Sequence, residues 1–149
     1  MSEARVLIVE DEALVALDIQ RRLEKLGYTV VGRSGEGAQA VRMAEETCAD
    51  LVLMDIQLEG ETDGIEAAGE INERLGIPVV YLTAYSDQKN LERAKITAPF
   101  GYLLKPLEER ELSIAIEMAL YKSRLERELR DAKEHAEAAT RAKSEFLAN

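Results

Sequence analysis

The 149-residue sequence has one cysteine, one histidine, no tryptophan and three prolines. Cys48 alone cannot close an internal disulfide, and with His135 as the only histidine the Cys/His zinc sites are excluded. Any metal must therefore be held by oxygen. No apolar run approaches the ~20 residues of a membrane span, and Met1-Ser2-Glu3-Ala4-Arg5 enters a short apolar run without a signal-peptide pattern. The expectation is a soluble, cytoplasmic chain that makes no membrane contact. Positive charge is scarce as well: 19 Lys and Arg stand against 29 Asp and Glu, a net charge of −10 that repels nucleic acid and anionic membranes. Nucleic-acid binding is not expected. No G-x-x-x-x-G-K-[ST] segment occurs, which excludes a Walker-type ATP site. What remains is a chain with 46% hydrophobic residues, long enough to bury the core of one compact domain with one appended element.

Hydrophobic periodicity alternates between short β-type runs and longer helical patterns, the signature of a parallel α/β sheet. Arg5-Val6-Leu7-Ile8-Val9 reads as a strand covered on both faces. Leu14, Leu17, Ile19, Leu23 and Leu26 then mark a helix over 12–26, stopped by Gly27. Thr29 to Gly32 is a second strand, Ala38 to Ala44 a second helix, Leu51 to Met54 a third strand, and Ile65 to Leu75 a third helix stopped by Gly76. Ile77 to Leu82 is a fourth strand with Pro78 at its opening, Gln88 to Ile96 a weaker helix, and Phe100 to Leu104 a fifth strand. The connections are short enough for right-handed crossovers. The expected fold is α/β, a doubly wound, five-stranded parallel sheet.

From Leu107 to Asn149 no Gly or Pro occurs, and Ala, Glu, Arg, Lys and Leu dominate. This predicts one helix of roughly 40 residues, about 60 Å long. Leu112, Ile116, Ala119 and Leu120 can close the sheet's last face. Beyond Tyr121 the helix outruns a domain of this size, and Met118, Leu125, Ala132, Ala139 and Phe146 recur at sevens, with Ala115, Leu129 and Ala136 as companions and Lys122 and Lys143 as interruptions. That is a weak, alanine-rich coiled-coil seam and permits a homodimer through the helix. Glu126/Arg130 and Glu137/Arg141 are expected i,i+4 pairs worth about 0.2–0.5 kcal/mol each.

Ligands of an open parallel sheet collect outside the carboxyl ends of its strands. Glu10-Asp11-Glu12 follow the first strand, Asp55 the third, Thr83-Ala84 the fourth and Lys105-Pro106 the fifth. Carboxylates brought this close repel unless a cation sits among them, and Mg²⁺ suits one to three carboxylates plus waters and a phosphate. Lys105 would neutralise an added phosphoryl group as a point charge. For Glu12 alone, the ordinary preference of acids for helix N-termini is sufficient explanation. The set as a whole has no common packing reason.

Five segments then match one family: Val6-Leu7-Ile8-Val9-Glu10-Asp11-Glu12, Leu53-Met54-Asp55-Ile56, Asp63-Gly64, Tyr81-Leu82-Thr83-Ala84 and Gly101-Tyr102-Leu103-Leu104-Lys105-Pro106. In this order and at these separations the chain resembles a response-regulator receiver domain, a flavodoxin-like fold, over about residues 4–121. The resemblance implies that Asp55 accepts a phosphoryl group from the phosphohistidine of a histidine kinase or histidine phosphotransfer domain. It implies Mg²⁺ held by Glu10, Asp11, Asp55 and the backbone carbonyl of Gln57. Lys105 would pair with the phosphoryl oxygens, the Lys105-Pro106 bond would be cis, and Thr83 and Tyr102 would form the switch pair. Receivers often carry Pro four residues after the aspartate and Met before Asp-Gly, where this chain has Glu59 and Thr62 in a segment one residue longer than usual. Ala94 to Pro99 lacks the usual Gly-Ala turn.

The tail carries a second resemblance. Leu125-Glu126-Arg127-Glu128-Leu129 through Lys143-Ser144-Glu145-Phe146-Leu147-Ala148-Asn149 is similar to the helix leading into the dimerisation and phosphotransfer domain of sensor histidine kinases. The expected organisation is a receiver over 1–121 and a helical coiled-coil linker over 122–149, a fragment of a longer hybrid kinase. His135 lacks the phosphorylated histidine's motif and reads as a solvated residue on a polar face. Gly32-Arg33-Ser34-Gly35-Glu36-Gly37 has the glycines of a turn rather than the order of a nucleotide loop. Cys48, near the end of the second helix, reads as a small core or boundary residue.

Three functions fit these residues. The favoured one is a phospho-accepting switch that is not a turnover enzyme by itself. A metal-dependent phosphohydrolase with an aspartate nucleophile would usually place a second acid two positions on, where Gln57 stands. A phosphorylation-independent α/β module capping a dimeric coiled coil needs only the fold and the helix, and leaves Glu10, Asp11, Asp55, Thr83 and Lys105 unexplained.

Overall fold

The computed structural model describes residues 4–58, 63–84, 92 and 100–148, with side chains through Ala142. Five parallel strands form one sheet in the order β2-β1-β3-β4-β5: β1 Arg5–Val9, β2 Thr29–Ser34, β3 Leu51–Asp55, β4 Val79–Thr83 and β5 Gly101–Leu104. The helices are α1 Ala13–Lys25, α2 Gly37–Thr47, α3 Gly64–Glu70 and a C-terminal helix Glu109–Ala148 of 40 residues. The expected helix over Gln88 to Ile96, Glu92 apart, and the atypical segments Glu59 to Thr62 and Ala94 to Pro99 lie outside the described residues.

β1, β3 and β4 are apolar on both sides because both sides are covered, and alternate residues feed two cores. Leu7, Val9, Val52, Met54, Val79 and Tyr81 pack with α2 and α3. Val6, Ile8, Leu51, Leu53, Val80 and Leu82 pack with Ile19 and Leu23 of α1 and with Leu112, Ile116 and Ala119 of the C-terminal helix. Gly27 and Gly76 end their helices at φ +95° and +67°, the left-handed conformation that glycine adopts without strain.

Local details revise several expectations. β2 runs on to Ser34, with an irregularity opposite Val6/Leu7 that skips Val31. The third helix begins at Gly64, capped by the Asp63 carboxylate accepting from the Glu66 N–H at 2.8 Å. Its last turn, Ile71–Leu75, widens to a π-helix, and the Asn72 amide reaches beyond it to the carbonyl of Ile77. Cys48 is exposed rather than a core or boundary residue, because it closes α2 in the left-handed conformation (φ 53°), which turns its side chain away from the packed face. Among the described residues, Glu126/Arg130 and Glu137/Arg141 do not form ion pairs, since exposed side chains gain little from being held together. Ala115 is half-buried, packing against the core while it also lines a groove with Ile114 and Met118.

The C-terminal helix is tied to the domain by polar contacts as well. The Tyr28 hydroxyl donates to Glu117 Oε1 at 2.6 Å, Lys25 pairs with Glu109 at 3.3 Å, and Lys122 lies 5.4 Å over the Phe100 ring. Ser123 is still buried, so cover by the domain extends two residues past Tyr121. No helix among the described residues is long and apolar enough to cross a membrane.

Candidate functional site

Parallel strands that begin in register end at one rim, and this sheet's carboxyl rim gathers the residues marked in the sequence. Asp55 is the last residue of β3, paired across the ladder with Leu82 of β4. Glu10 continues β1, its N–H donating to the carbonyl of Ser34 at 2.8 Å. Lys105 follows β5, its N–H donating to the carbonyl of Thr83 at 2.7 Å, and the Lys105-Pro106 bond is cis. Asp11, Glu12, Asp55, Gln57, Ala84 and Lys105 line a cavity of about 460 Å³ at this rim.

Lys105 is the centre of the charge arrangement. Its Nζ donates to Glu10 Oε1 at 2.8 Å and to Asp55 Oδ2 at 2.9 Å, joining β1, β3 and the end of β5. Asp55 Oδ1 accepts from the Gln57 N–H at 2.9 Å, so both carboxylate oxygens have donors in the resting site. Glu10 is different: it is buried and its Oε2 has no hydrogen-bond partner. Burial pushes the Glu10 carboxyl up to about 8, the neighbouring Asp55 carboxylate adds to the rise, and Lys105 offsets part of it. Burial alone would lower the Lys105 ammonium, but the Glu10 and Asp55 carboxylates outweigh it and hold the lysine above its ordinary value.

Glu10, Asp11 and Asp55 each offer a carboxylate oxygen within 4.8 Å of the other two. Three carboxylates face a single ammonium, and one buried oxygen is left without a donor. A hard divalent cation with oxygen preference fits that donor set, and its charge would offset the repulsion that raises Glu10. Gln57 lies at the cavity with its N–H turned to Asp55. Glu12 stands at the N-cap of α1 without a side-chain capping bond and also lines the cavity.

Thr83 ends β4, buried, with its hydroxyl donating to the Leu103 carbonyl over a long 3.5 Å. Tyr102 lies opposite Tyr81 in the β4/β5 ladder, their ring centroids 6.0 Å apart, and its side chain is partly exposed at the sheet edge. Gly64 has a role at this rim that no spacing along the chain reveals. A Cβ there would overlap the backbone carbonyl oxygen of Asp55 and lie 3.1 Å from the carbonyl of Ile56. Only a glycine lets α3 start this close beneath the acidic rim, and the Asp63-Gly64 pair was the available signal. Of the three glycines read as a turn, Gly35 alone lies in the connection, where the Ser34 hydroxyl bonds to the Glu36 backbone; Gly32 is paired within β2 and Gly37 opens α2.

Sheet order and rim together define a class, and sequence comparison agrees: the chain belongs to the response regulator receiver domain family, whose model matches residues 6–117. It is 43% identical over 120 residues to the transcriptional regulatory protein PdtaR of Mycobacterium tuberculosis, covering 80% of this chain and 58% of that protein. It thus spans only part of the length of such curated relatives. The signal receiver domain of a modulated diguanylate cyclase from Desulfovibrio desulfuricans G20 superimposes with a TM-score of 0.79 at 41% identity, covering 83% of this chain and 98% of that one. The receiver domain of sensor histidine kinase PA1611 from Pseudomonas aeruginosa PAO1, solved with magnesium coordinated in its active-site cleft, gives a TM-score of 0.71 at 32% identity, covering 79% and 98%.

Proposed function

We propose that this receiver takes a phosphoryl group on Asp55 from the phosphohistidine of a histidine kinase or histidine phosphotransfer domain, and signals through its C-terminal helix. The observation that carries the reading is the Lys105 ammonium held between Glu10 and Asp55, 2.8 and 2.9 Å away, at the mouth of an acidic cavity. In the transfer, an Asp55 carboxylate oxygen attacks phosphorus in line, the P–N bond breaks, and the histidine departs with a proton from solvent. The product is an acyl phosphate on Asp55. Phosphoryl transfer needs positioning and charge neutralisation more than covalent chemistry from the protein. Lys105 supplies a positive charge already placed beside the nucleophile, and the Gln57 N–H orients the other oxygen of Asp55. Glu10, Asp11, Asp55 and the backbone carbonyl of Gln57 would hold Mg²⁺, which when bound supplies further neutralisation of the phosphoryl oxygens.

Thr83 and Tyr102 form the switch in this reading. The long bond from the Thr83 hydroxyl to Leu103 is weak enough to be exchanged for a phosphoryl oxygen. Drawing Thr83 toward Asp55 opens space at the sheet edge for the Tyr102 ring, which changes the face shared by β5 and the C-terminal helix. The domain division follows: a receiver over 1–121 and a linker over 122–149 that feeds a kinase module, with no contact to nucleic acid or membrane. The chain does not turn over a substrate by itself in this scheme.

The test is incubation with Mg²⁺ and acetyl phosphate, followed by intact mass beside an Asp55→Asn variant. Gain of one phosphoryl group by the parent alone is expected. No gain in a folded sample that binds Mg²⁺ would overturn the reading in favour of a phosphorylation-independent module, and equal gain by the variant would move the acceptor elsewhere.

A further inference from the structure

The face of the C-terminal helix that packs on the sheet changes character where the domain ends. At 100° per residue, Leu112, Ile116 and Ala119 lie within about 40° of the direction of Ser123, and so do Arg127 and Arg130 further along. The first three are buried against the sheet, and Ser123 is only 4% exposed. The next two turns of the same face carry two guanidinium groups where apolar residues would continue a packed face.

These turns lie by the amino ends of β4 and β5, at the opposite rim of the sheet from Asp55. Between helix and domain is a cavity of about 290 Å³, near the lower end of the ~300–1,000 Å³ of small-molecule sites. Its domain side is formed by Asn72, Leu75 and Gly76, from the π-helical turn and its stop, and by Phe100 just before β5. None of these carries a charge. The helix side supplies the Ser123 hydroxyl, Arg127, Arg130 and a single acid, Glu126.

The arginines are not engaged elsewhere. Glu126, Asp131 and Glu134 stand one helical turn from one or the other, but neither guanidinium has an ion-pair partner among the described residues. Arg127 donates to the Ser123 hydroxyl over a long 3.5 Å. Asn72 gives one amide proton to the Ile77 carbonyl at 3.3 Å and has a second. The cavity thus gathers two guanidinium forks, an amide and a hydroxyl against one carboxylate. In a chain of net charge −10, that is a local excess of positive charge against the overall field. Planar guanidinium forks match the paired oxygens of a carboxylate or a phosphate.

We infer that this cavity binds a small organic anion, its phosphate or carboxylate group held by Arg127 and Arg130 and its short carbon body against Phe100 and Leu75. Ser123 exchanges its long contact with Arg127 for a bond to the anion, and Asn72 donates from the domain side. Because the donors come from both domain and helix, the ligand fastens the first turns beyond Tyr121 to the π-helical turn. It lengthens the stretch of helix that moves with the receiver. The site rests neither on phosphoryl transfer at the far rim nor on self-association of the chain.

The test is titration of the full chain in EDTA, at constant ionic strength, with inorganic phosphate, glycerol 3-phosphate and succinate, followed by amide NMR. Saturable shifts are expected at Asn72, Gly76, Phe100 and Ser123, with those of Glu10 and Asp55 unmoved and hydrogen exchange slowed over 123–130. Saturation by the two phosphates assigns the phosphate group, with glycerol 3-phosphate the tighter, and saturation by succinate alone assigns the carboxylate. Arg127→Gln with Arg130→Gln should weaken binding at least about tenfold with circular dichroism unchanged. Arg124→Gln, whose guanidinium lies over the Tyr121 ring outside the cavity, should leave binding as it is. Glu126→Gln, which removes the one acid, should tighten it several-fold. No saturation by about 100 mM of any probe, or equal binding by the double arginine variant, would overturn the site. Weaker binding by Glu126→Gln would overturn the anionic class. A hexaglutamate peptide that shifts these amides where none of the small anions does would replace the small ligand with an acidic protein partner. Loss of the site with normal phosphoryl gain at Asp55 would refute this inference alone, and the converse would refute the acceptor reading alone.

Discussion

Replacing Glu10 with glutamine in the metal-free protein should remove a pH dependence of stability. The Glu10 carboxyl titrates at about 8 in the folded protein against an ordinary 4.5, so between those values the folded state holds a proton that the unfolded state has released. Stability then falls as pH rises, with a limiting slope of about 1.4 kcal/mol per pH unit. From pH 6 to pH 8 the parent should lose about 2 kcal/mol relative to Glu10→Gln, which carries no titrating group and keeps a carbonyl for Lys105 to donate to. The two proteins should converge as pH falls toward 4.5. Urea unfolding in EDTA at several pH values measures the difference, with an unchanged m-value showing that only stability has moved. Saturating Mg²⁺ should abolish the loss in the parent, because a cation stabilises the ionised carboxylate, and should do less for the variant. A parent-minus-variant difference that stays constant from pH 6 to 8 would refute the claim that Glu10 is held protonated by burial and by Asp55.

Gly64→Ala places a methyl on the Asp55 carbonyl and should destabilise the fold by about 1–3 kcal/mol, read from the urea midpoint, while also slowing phosphoryl gain by displacing the nucleophile. Lys105→Met removes the ammonium shared by Glu10 and Asp55. It should slow phosphoryl gain from acetyl phosphate by about a hundredfold, while calorimetric titration shows Mg²⁺ bound at least as tightly as in the parent, since a repelling charge is gone. Equal phosphorylation rates for parent and Lys105→Met would remove Lys105 from the proposed chemistry.

The order of elements was legible because each strand and helix carries its own signal: buried strands read as continuous apolar runs, and Gly27 and Gly76 end helices for a local conformational reason. Glu10, Asp11, Asp55, Thr83 and Lys105 could be picked out for a similar reason, since each follows a strand and parallel strands share a rim. Their bonds could not be read in the same way. That one ammonium reaches both Glu10 and Asp55, and that a Glu10 oxygen is buried without a donor, depends on how far the ends of β1, β3 and β5 approach one another. No spacing along the chain encodes that distance. Gly64 was visible as part of a motif, but its need to be glycine comes from the Asp55 backbone lying against it.

The C-terminal helix divides along the same line. Its length follows from residues 107–149 alone, because helix propensity is local and neither glycine nor proline interrupts it. How far the domain covers it does not: Ser123 is still buried and Ala115 half-buried against the core, while Ile114, Met118 and Leu129 stay exposed, and burial is a property of the assembled domain.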